Sequence, residues 1–583
     1  MRKRASYLTA NSVTSWLFAG ALALSAGWLL PIHYLPWSAF HSDAWVAGML
    51  LVLSTVSLIK VRSQQPWSYF ALFIAALAVV PIIQLATGQI RLMGTAWISS
   101  LYLIGFLLAI LTGARWQLSR GSELTDALFL AIGAAATISV GMQLCQWLNV
   151  TEGCLCANDW VLPRATNNRI SANLAQPNQL ATLLLLGIVA HVWAWVKQTI
   201  GSWTTVLAIV FLLVGIALTE SRMGATSLGL MLLCFWYWRH LWPRRQTPYV
   251  ASALFLFFVT VFLLQTFFSH LMLLDHVSTA LARGQAETRL DIWFMFGRAA
   301  LHRPWLGYGW DQSVIAQVMT TTAQSSDQGL RNLMVSHAHN LFLDLVLWLG
   351  IPLGVLASVA IASWFGRAAQ NVKNNQDALL VLGVLAMGTH AMLELPLYYA
   401  YFLLPLGLMV GMLDVRLNSR YAFATGLRPV VCLWIVCCAL FFTVVRDYFA
   451  LEQSYAELRL DSARIANKTP YEPPEVLVLT QLRDYIALAR LEVEPNMDQV
   501  KIDWVENVTL VYPSEHNLLK LSTALALNGQ TPQAQDWINK LCNLYPGVKC
   551  VKAEEEWKKS QNRFPQLDKV TWPVTTQIPI MAH

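Results

Sequence analysis

Residues 13–30, VTSWLFAGALALSAGWLL, form an uncharged apolar run near the start of the chain. An α-helix rises about 1.5 Å per residue, so about 20 such residues cross the hydrocarbon core of a bilayer. Comparable runs follow at 44–60, 67–87, 96–113, 124–148, 178–196, 203–219, 222–240, 250–272, 339–363, 378–394, 399–415 and 429–447. Because lipid offers no hydrogen-bond partners, each run has to be helical. We therefore predict an all-α polytopic membrane protein of about thirteen transmembrane helices.

The composition supports this class. Of the 583 residues, 56% are hydrophobic and 13% are charged, whereas soluble domains carry about 25% charged residues. The first run is longer than a signal peptide, has no small-residue cleavage site and is followed at once by further runs, so we expect it to be retained. The net charge of +7 is attributed to basic membrane-flanking loops, and we expect no binding to nucleic acid.

Lysine and arginine in the short connections predict the orientation. Counting outward from the N-terminal MRKR, the connections on the same side as that segment are basic, and the short ones on the other side hold almost no Lys or Arg. The basic residues are Lys60, Arg62, Arg115, Arg120, Lys197, Arg239, Arg244, Arg245, Arg367, Lys373, Arg416, Arg420 and Arg428. We therefore expect a cytoplasmic N-terminus and, after thirteen spans, a tail on the outer side, which is the periplasm in a Gram-negative cell.

Two regions are expected. Residues 1–447 form the membrane region, and its longest outside segment between spans is 273–338. Residues 448–583 are more polar and are predicted to form a small helical domain. Within them, 515–544 shows two apolar-periodic stretches separated by NGQTPQ, which predicts an α-hairpin, either a tetratricopeptide-like repeat or a generic helical cap.

The outside segment contains an amphipathic stretch, ETRLDIWFMFGRAAL at 287–301. Apolar side chains recur there at helical spacing with charges between them, which is typical of a helix lying on the membrane surface. We expect the interface to receive Leu290, Trp293, Phe294 and Phe296. Arg289 and Arg298 are expected to face polar groups.

The nine cysteines divide by environment. Five lie in apolar runs and are expected to be packing residues. Cys154 and Cys156 fall in an outside loop, and Cys542 and Cys550 in the tail. The last two could form a disulfide in an oxidising compartment. No zinc-binding spacing occurs, so no metal or other cofactor is expected.

Two histidines stand directly before an apolar run, in SHAHN at 336–340. Histidine is the usual general base near neutral pH. His337 and His339 are therefore candidate proton acceptors, although two interfacial histidines that simply precede a helix fit the pattern as well.

Two arginines are candidate anion-binding groups. Arg222 opens an apolar run in ESRMG. An arginine costs at least about 2.5 kcal/mol at the bilayer centre, and snorkelling lowers this cost near an interface, where Arg222 is predicted to lie. Arg289 lies in the amphipathic stretch. The guanidinium fork matches phosphate oxygens bidentately. The alternatives are a topological stop paired with Glu220 for Arg222, and a solvated helix face for Arg289.

Two further groups of polar residues precede or end apolar runs. The segment 161–180 carries amides and arginines that could bind a polyhydroxylated ligand or cap the helix beginning near Pro177. Its candidate residues are Arg169, Asn173, Gln176, Asn178 and Gln179. His390 and Glu394 are four apart, share a helix face and could orient one another or form a structural pair. All these signals fall on the predicted outer side, which favours a functional site there.

Several segments resemble the bacterial O-antigen ligase and polymerase superfamily, and within it the PglL-type O-linked oligosaccharyltransferases. They are ISANLAQPNQLATLLLLG (170–187), SRMG (221–224), TRLDIW (288–293), RPWLGYGW (303–310), SHAHNLFLDLVLWLGIPLG (336–354) and HAMLELPLYYAYFLLPLG (390–407). Together they cover about residues 160–415. The first and last are the most specific for the protein-glycosylating branch.

The resemblance implies a GT-C-like fold and a metal-independent, inverting transfer outside the cytoplasmic membrane. The donor would be an oligosaccharide on undecaprenyl diphosphate, and the acceptor a Ser or Thr hydroxyl of a periplasmic protein such as type IV pilin. By motif match, His339 becomes the catalytic base, preferred over His337 because Asn340 follows it. Arg222 and Arg289 become the diphosphate ligands, and we expect them to meet His339 at the extracytoplasmic rim.

Two other functions fit parts of this pattern. An O-antigen ligase or polymerase would use the same donor with a glycan acceptor. A transporter or flippase of lipid-linked sugars would need charges spread through the membrane depth and preferably internal repeats. The sequence shows no clear repeat, and its polar signals gather on one predicted side.

Overall fold

A computed structural model describes residues 17–60, 64–148, 160–163, 169–271, 285–322, 330, 332–417, 421–465 and 471–573. Over these ranges the chain is mostly helical, and its only strands form one antiparallel pair, β1 (Gln65–Ser68) with β2 (Tyr421–Thr425). Trp67 pairs with Phe423, and their rings stack with centroids 6.0 Å apart. The prediction of an all-α membrane protein is confirmed at this level.

The helices are numbered in chain order. Those up to residue 271 are α1 (Leu17–Trp28), α2 (Phe40–Lys60), α3 (Tyr69–Ala86), α4 (Met93–Arg120), α5 (Glu123–Trp147), α6 (Pro177–Val196), α7 (Ser202–Leu218), α8 (Arg222–Tyr237) and α9 (Thr247–Leu271). Those after it are α10 (Gln285–His302), α11 (Ser313–Thr320), α12 (Leu341–Leu349), α13 (Ile351–Gln370), α14 (Asn375–Ala391), α15 (Ala400–Arg416), α16 (Arg428–Ser462), α17 (Thr480–Arg490), α18 (Gln499–Val511), α19 (Glu515–Leu527), α20 (Thr531–Leu544) and α21 (Val548–Gln561).

Among the described residues, eight helices are long and apolar enough to cross a membrane: α2, α3, α4, α5, α6, α9, α13 and α16. α1 and α7 are apolar but shorter. Several other predicted runs correspond to helices of 16 or 17 residues, such as α8 and α14. The chain is thus a multi-pass membrane protein, and the total of thirteen spans stays a prediction.

The chain folds into two compact units, and the first comprises residues 1–77, 102–283 and 360–441. Its central helix is α6, which is packed by α5, α7, α8 and α14 and whose residues 180–186 are almost entirely buried. Small residues allow close helix packing in this unit: a Cβ at Gly187 of α6 would collide with Ala136 of α5, and one at Gly411 of α15 with the Ile110 carbonyl of α4. Close helix approach at small residues is typical of membrane bundles.

The second unit comprises residues 78–101, 284–359 and 442–583. The tail therefore packs with the long loop: α11 lies against α18, and the Asn332 N–H donates to the Leu544 carbonyl at 3.0 Å. Asp447 is fully buried and accepts hydrogen bonds from the main chain of 477–479, which ties the middle of α16 to that segment. Residues 515–544 form the two packed helices α19 and α20, as their pattern indicates.

Helix α10 corrects one expectation about the amphipathic stretch. Phe296 is fully buried with Ile292 and Ala299, whereas Leu290 and Phe294 are 50% and 68% exposed. The helix therefore has apolar side chains on two faces. One packs inside the unit, including against α12, and the other is exposed.

Cys542 and Cys550 form a disulfide that joins α20 to α21. The five cysteines of the apolar runs are free thiols; Cys437 is buried, as expected of a packing residue, whereas Cys432 is exposed. Cys154 and Cys156 lie outside the described residues.

We expect the full chain, alkylated without reductant, to carry label at Cys145 and none at Cys542 or Cys550. The sequence separation across the bridge is 8, for which loop-closure entropy gives a stabilisation of about 2.5 kcal/mol. The C542S/C550S double variant should therefore lower the protection of α20 and α21 amides against hydrogen exchange by this amount, and Cys145→Ser is the control. Label at either tail cysteine before reduction would contradict the bridge.

Candidate functional site

The N-terminus of α6 brings polar side chains into the first unit. Pro177 occupies the first helical turn, and the Gln176 side-chain oxygen accepts a hydrogen bond from the Gln179 N–H at 2.6 Å. Gln176 thus caps the helix, as one interpretation of the segment predicted. Asn178 and Gln179 follow with side chains only 7% and 4% exposed. Buried amides of this kind need partners.

Asn178 is the centre of a hydrogen-bond network, called here the Asn178 network. Its Oδ1 accepts from Arg169 Nη2 at 2.9 Å and from Ser221 Oγ at 2.7 Å. Its Nδ2 donates to Glu394 Oε1 at 3.1 Å. With two donors on one side and a carboxylate on the other, the amide has a single orientation. Three segments that the sequence offered as separate signals therefore meet at one side chain.

The network reaches Arg222 through the main chain. Ser221 is the N-cap of α8, and its Oγ accepts from the Gly224 N–H at 3.0 Å while it donates to Asn178. Arg222 is the next residue and the first of α8. The position of its backbone is therefore determined by Asn178 through the Ser221 cap.

His390 and Glu394 are both bound by α6. His390 is 1% exposed, and its Nδ1 lies 2.7 Å from Thr182 Oγ1. The Glu394 N–H donates to the His390 carbonyl at 2.8 Å, so the helical spacing persists just past the end of α14. Asn178 and Thr182 are also four apart. Two i, i+4 pairs on facing helices thus form two rungs of polar contacts.

A second buried cluster adjoins the same helix start. Tyr401 donates to Gln179 Oε1 at 2.6 Å. Asp43 is 4% exposed and accepts from the Ala400 N–H at 2.6 Å and from Tyr102 at 2.9 Å. These contacts fix the start of α15 beside α6. Asp43 was not a sequence candidate, although a carboxylate at the edge of an apolar run is a recognisable signal.

Asn173 has the contacts of a loop anchor. Its Nδ2 donates to the Leu29 and Trp160 carbonyls at 2.7 and 2.6 Å, and its Oδ1 accepts from the Leu162 N–H at 3.0 Å. Both N–H groups are therefore occupied by main-chain acceptors. The amide holds the segment leading into α6, which carries Arg169 and Gln176.

The second unit holds residues 336–340, called here the histidine loop. Asn340 is the N-cap of α12, and its Oδ1 accepts from the N–H groups of Phe342 and Leu343, both at 3.1 Å. The half-buried rings of His337 and His339 lie with centroids 4.8 Å apart in an edge-to-face arrangement. Both candidate bases therefore occupy one spot, and Asn340 serves to start the helix that follows them.

Asp344 holds the main chain between the two histidines. It is 1% exposed, and its Oδ1 accepts from the Ala338 N–H at 2.8 Å and from Ser313 Oγ at 3.3 Å. His339 has a left-handed backbone, with φ of 52°. A non-glycine residue persists there only when its surroundings fix it. Sequence reasoning missed Asp344, since it lay inside an apolar run.

The other end of α12 is held by the LGYGW segment. The Tyr308 N–H donates to the Leu347 carbonyl at 2.7 Å. Gln84 accepts from the Trp310 N–H at 2.9 Å and donates to the Trp348 carbonyl at 2.8 Å. Gly307 and Gly350 have positive φ, and a Cβ on Gly307 would collide with the Leu347 carbonyl.

Arg289 belongs to the same unit as the histidines. It is half-buried near the start of α10, the helix that packs against α12. Arg298, on the same helix, is exposed. The first unit thus holds Arg222 with the Asn178 network, and the second holds Arg289 with the histidine loop.

Three family models match the chain. A protein glycosylation ligase model matches 171–195, an O-antigen ligase model matches 207–358, and the C-terminal model of virulence-factor membrane-bound polymerases matches 378–561. The first match covers the start of α6, and the second includes Arg222, Arg289 and the histidine loop.

Two curated proteins of Acinetobacter baylyi are similar over most of their length. A general O-oligosaccharyltransferase is 29% identical over 551 residues, which are 91% of this chain and 92% of the relative. A ComP-specific O-oligosaccharyltransferase is 24% identical over 461 residues, 77% of this chain and 81% of the relative.

Through these matches the chain is similar to the O-antigen ligase superfamily. The resemblance to its O-linked oligosaccharyltransferases, predicted from the motifs, is confirmed by these relatives and by the glycosylation ligase match.

We expect Asn178→Asp to destabilise the protein. The substitution keeps an acceptor for Arg169 and Ser221 but places a second carboxylate against Glu394. Loss of a buried donor to a charged group costs on the order of 3 kcal/mol. The variant purified in detergent should therefore unfold at a clearly lower temperature, whereas the exposed control Asn371→Asp should not change. Equal unfolding temperatures for both would show that the network carries no stability.

Proposed function

We propose that the chain transfers an oligosaccharide en bloc from undecaprenyl diphosphate to Ser or Thr hydroxyls of periplasmic proteins such as type IV pilin. The observation that carries this is the similarity, over nine-tenths of both chains, to a general O-oligosaccharyltransferase. The glycosylation ligase match falls on the start of α6, where Asn178 gathers its partners.

In this proposal His339 is the general base. The acceptor hydroxyl is a weak nucleophile, so the imidazole takes its proton as the oxygen attacks the anomeric carbon. The new bond joins that carbon to the acceptor oxygen, and the bond from the anomeric carbon to the diphosphate oxygen breaks. One displacement from the face opposite the leaving group inverts the anomeric configuration. The products are the glycoprotein and undecaprenyl diphosphate.

Arg222 and Arg289 are proposed to bind the leaving diphosphate. Negative charge grows on it in the transition state, and guanidinium groups held in place stabilise this charge without reorganisation. Arg222 is supported by its place at the start of α8, directly after the Ser221 cap. The same role needs no metal, because the arginines supply the compensating charge.

The proposed setting is the inner membrane, with the reacting groups on the periplasmic side. The basic loops that predict a cytoplasmic N-terminus support this orientation, and the tail disulfide is of the kind formed in an oxidising compartment. The polyprenyl tail stays in the bilayer among the apolar helices. The remaining sequence candidates, including His337, His390 and Gln179, are proposed to shape the site.

A second candidate function keeps the donor and changes the acceptor. The matches to O-antigen ligase and membrane-bound polymerase models over 207–358 and 378–561 favour it. In that case the hydroxyl would belong to a glycan.

The acceptor can be tested by expressing the chain in a host that lacks its own oligosaccharide ligases. The host supplies a lipid-linked glycan, a pilin-like protein and a lipid A core. Intact mass of the pilin should rise by one whole glycan, and the lipid A core should stay unmodified. Glycan on the lipid A core alone would replace the proposal with the ligase function.

His339→Ala should reduce glycan transfer by about a thousandfold, since general bases contribute 10² to 10⁴-fold, roughly. His337→Ala is the matched control and should retain a larger share of activity. The measurement is the glycosylated fraction of the pilin, with membrane levels of each variant checked by immunoblot. Full activity of His339→Ala would remove the assignment of the base.

Arg289→Lys should also impair the reaction, because an ammonium cannot reproduce a bidentate contact with a diphosphate. We expect transfer to fall about tenfold, with the loss concentrated at low donor concentration. Arg298→Lys, on the exposed part of the same helix, is the control. Near-normal donor use by Arg289→Lys would count against its role.

A further inference from the structure

A cavity of about 220 Å³ lies among α6, α7, α8, α9 and α14 in the first unit. Its walls are almost entirely apolar, and they include Val192, Ile209, Met231, Leu254 and Leu382. Among the described residues, those of the Asn178 network do not line it. The cavity is therefore separate from the polar site.

One end of the cavity is cationic and polar. Arg244, Gln246 and Thr247 line it there, and Arg244 belongs to the basic loop WRHLWPRRQ at 238–246. Arg244 is exposed, so its guanidinium is accessible to solvent and headgroups. The nearby Ser202 hydroxyl already accepts a hydrogen bond from Trp195 at 3.1 Å. Among the lining residues, Arg244 carries the charge.

The basic loop is held against the cavity wall. Trp242 is 6% exposed and stacks on Phe235, with ring centroids 3.8 Å apart and planes 13° from parallel. Its Nε1 donates to the Phe235 carbonyl at 2.8 Å, and Phe235 lines the cavity. The Thr247 N–H donates to the Arg244 carbonyl at 3.0 Å. Arg244 therefore has a fixed backbone at the mouth rather than a free loop position.

We propose that this cavity binds an anionic glycerophospholipid. An acyl chain occupies the space between the apolar walls, and the headgroup phosphate binds the Arg244 guanidinium. An apolar slot with a cation at its mouth matches an amphipathic anion, and a soluble polar ligand would lose its hydration against these walls. A helix about 10 Å across cannot enter a space this small. A zwitterionic phospholipid also carries a phosphate, but its net charge is zero, so the guanidinium attracts it more weakly.

The glycan donor is a different ligand from this lipid. Arg222 and the basic loop lie at opposite ends of α8, a helix of 16 residues, which spans about 24 Å at 1.5 Å per residue. A diphosphate bound at Arg222 therefore cannot also meet Arg244. The phospholipid site therefore has no part in the proposed transfer reaction. Its occupant would stabilise the packing of α6, α7, α8 and α9.

The test uses the full chain, purified in detergent, and native mass spectrometry during titration with phosphatidylglycerol or phosphatidylethanolamine. Phosphatidylglycerol should bind more tightly. Arg244→Gln should weaken its binding about tenfold, as expected for loss of one charge-assisted contact. Arg245→Gln, which removes the neighbouring charge without touching the lining, is the matched control. Ala251→Phe, which fills the cavity, should also reduce binding.

Three outcomes would overturn the proposal. Equal binding of the two phospholipids would remove the role of charge. Equal losses in Arg244→Gln and Arg245→Gln would reduce it to the general basicity of the loop. Displacement of phosphatidylglycerol by undecaprenyl diphosphate in an Arg222→Gln background would reassign the cavity to the donor. Glycan transfer by the same preparations is scored separately, so failure here leaves the proposed function standing.

Discussion

The constraint on which the site depends is the orientation of one buried amide. Asn178 receives two donors on its oxygen, from Arg169 and Ser221, and gives one N–H to Glu394. Inside an apolar bundle no water replaces a lost hydrogen bond, so the loss of any one partner would leave a buried polar group unsatisfied. Arg222 follows from it, because its helix starts at the Ser221 cap. The arginine proposed to bind the diphosphate is thereby positioned by the Asn178 network.

In the other unit, the backbone of the histidine loop is likewise held by side chains outside the proposed reaction. His339 adopts a backbone conformation that costs about 1–3 kcal/mol when nothing fixes it. Asp344 holds the preceding N–H, and Asn340 caps the helix that follows. The strained residue thus sits between two anchors. The strained backbone of His339, beside a second imidazole, supports its proposed role in proton transfer.

Local signals in the sequence predicted a good part of this arrangement. The helix beginning at Pro177, its Gln176 cap and the spacing of His390 and Glu394 can all be inferred within a few residues of the chain. Ser221 and Thr182 could not be predicted as partners, because they lie 43 and 208 residues from the side chains they bind. Sequence periodicity identifies a helix face but gives no information about the group opposite it.

The same limit explains the expectation that failed. Phe296 shares an apolar pattern with Phe294, yet it packs inside the protein while Phe294 stays exposed. Hydropathy is equal for a membrane interface and a protein core, so the pattern could not separate them. Asp43 and Asp344 were missed for a different reason. Each is a single carboxylate at or within an apolar run, and its role depends on main-chain N–H groups or hydroxyls that only the fold supplies.

We propose that a base and fixed guanidinium groups suffice to move a glycan from a lipid diphosphate to a protein hydroxyl. The most direct measurement uses the purified chain in lipid nanodiscs, a synthetic donor of known anomeric configuration, a pilin-like acceptor and excess EDTA. We expect full transfer under chelation and a Ser- or Thr-linked product with the opposite anomeric configuration, read by NMR of the glycopeptide. A retained configuration, or transfer that stops with EDTA and returns with a divalent cation, would contradict it.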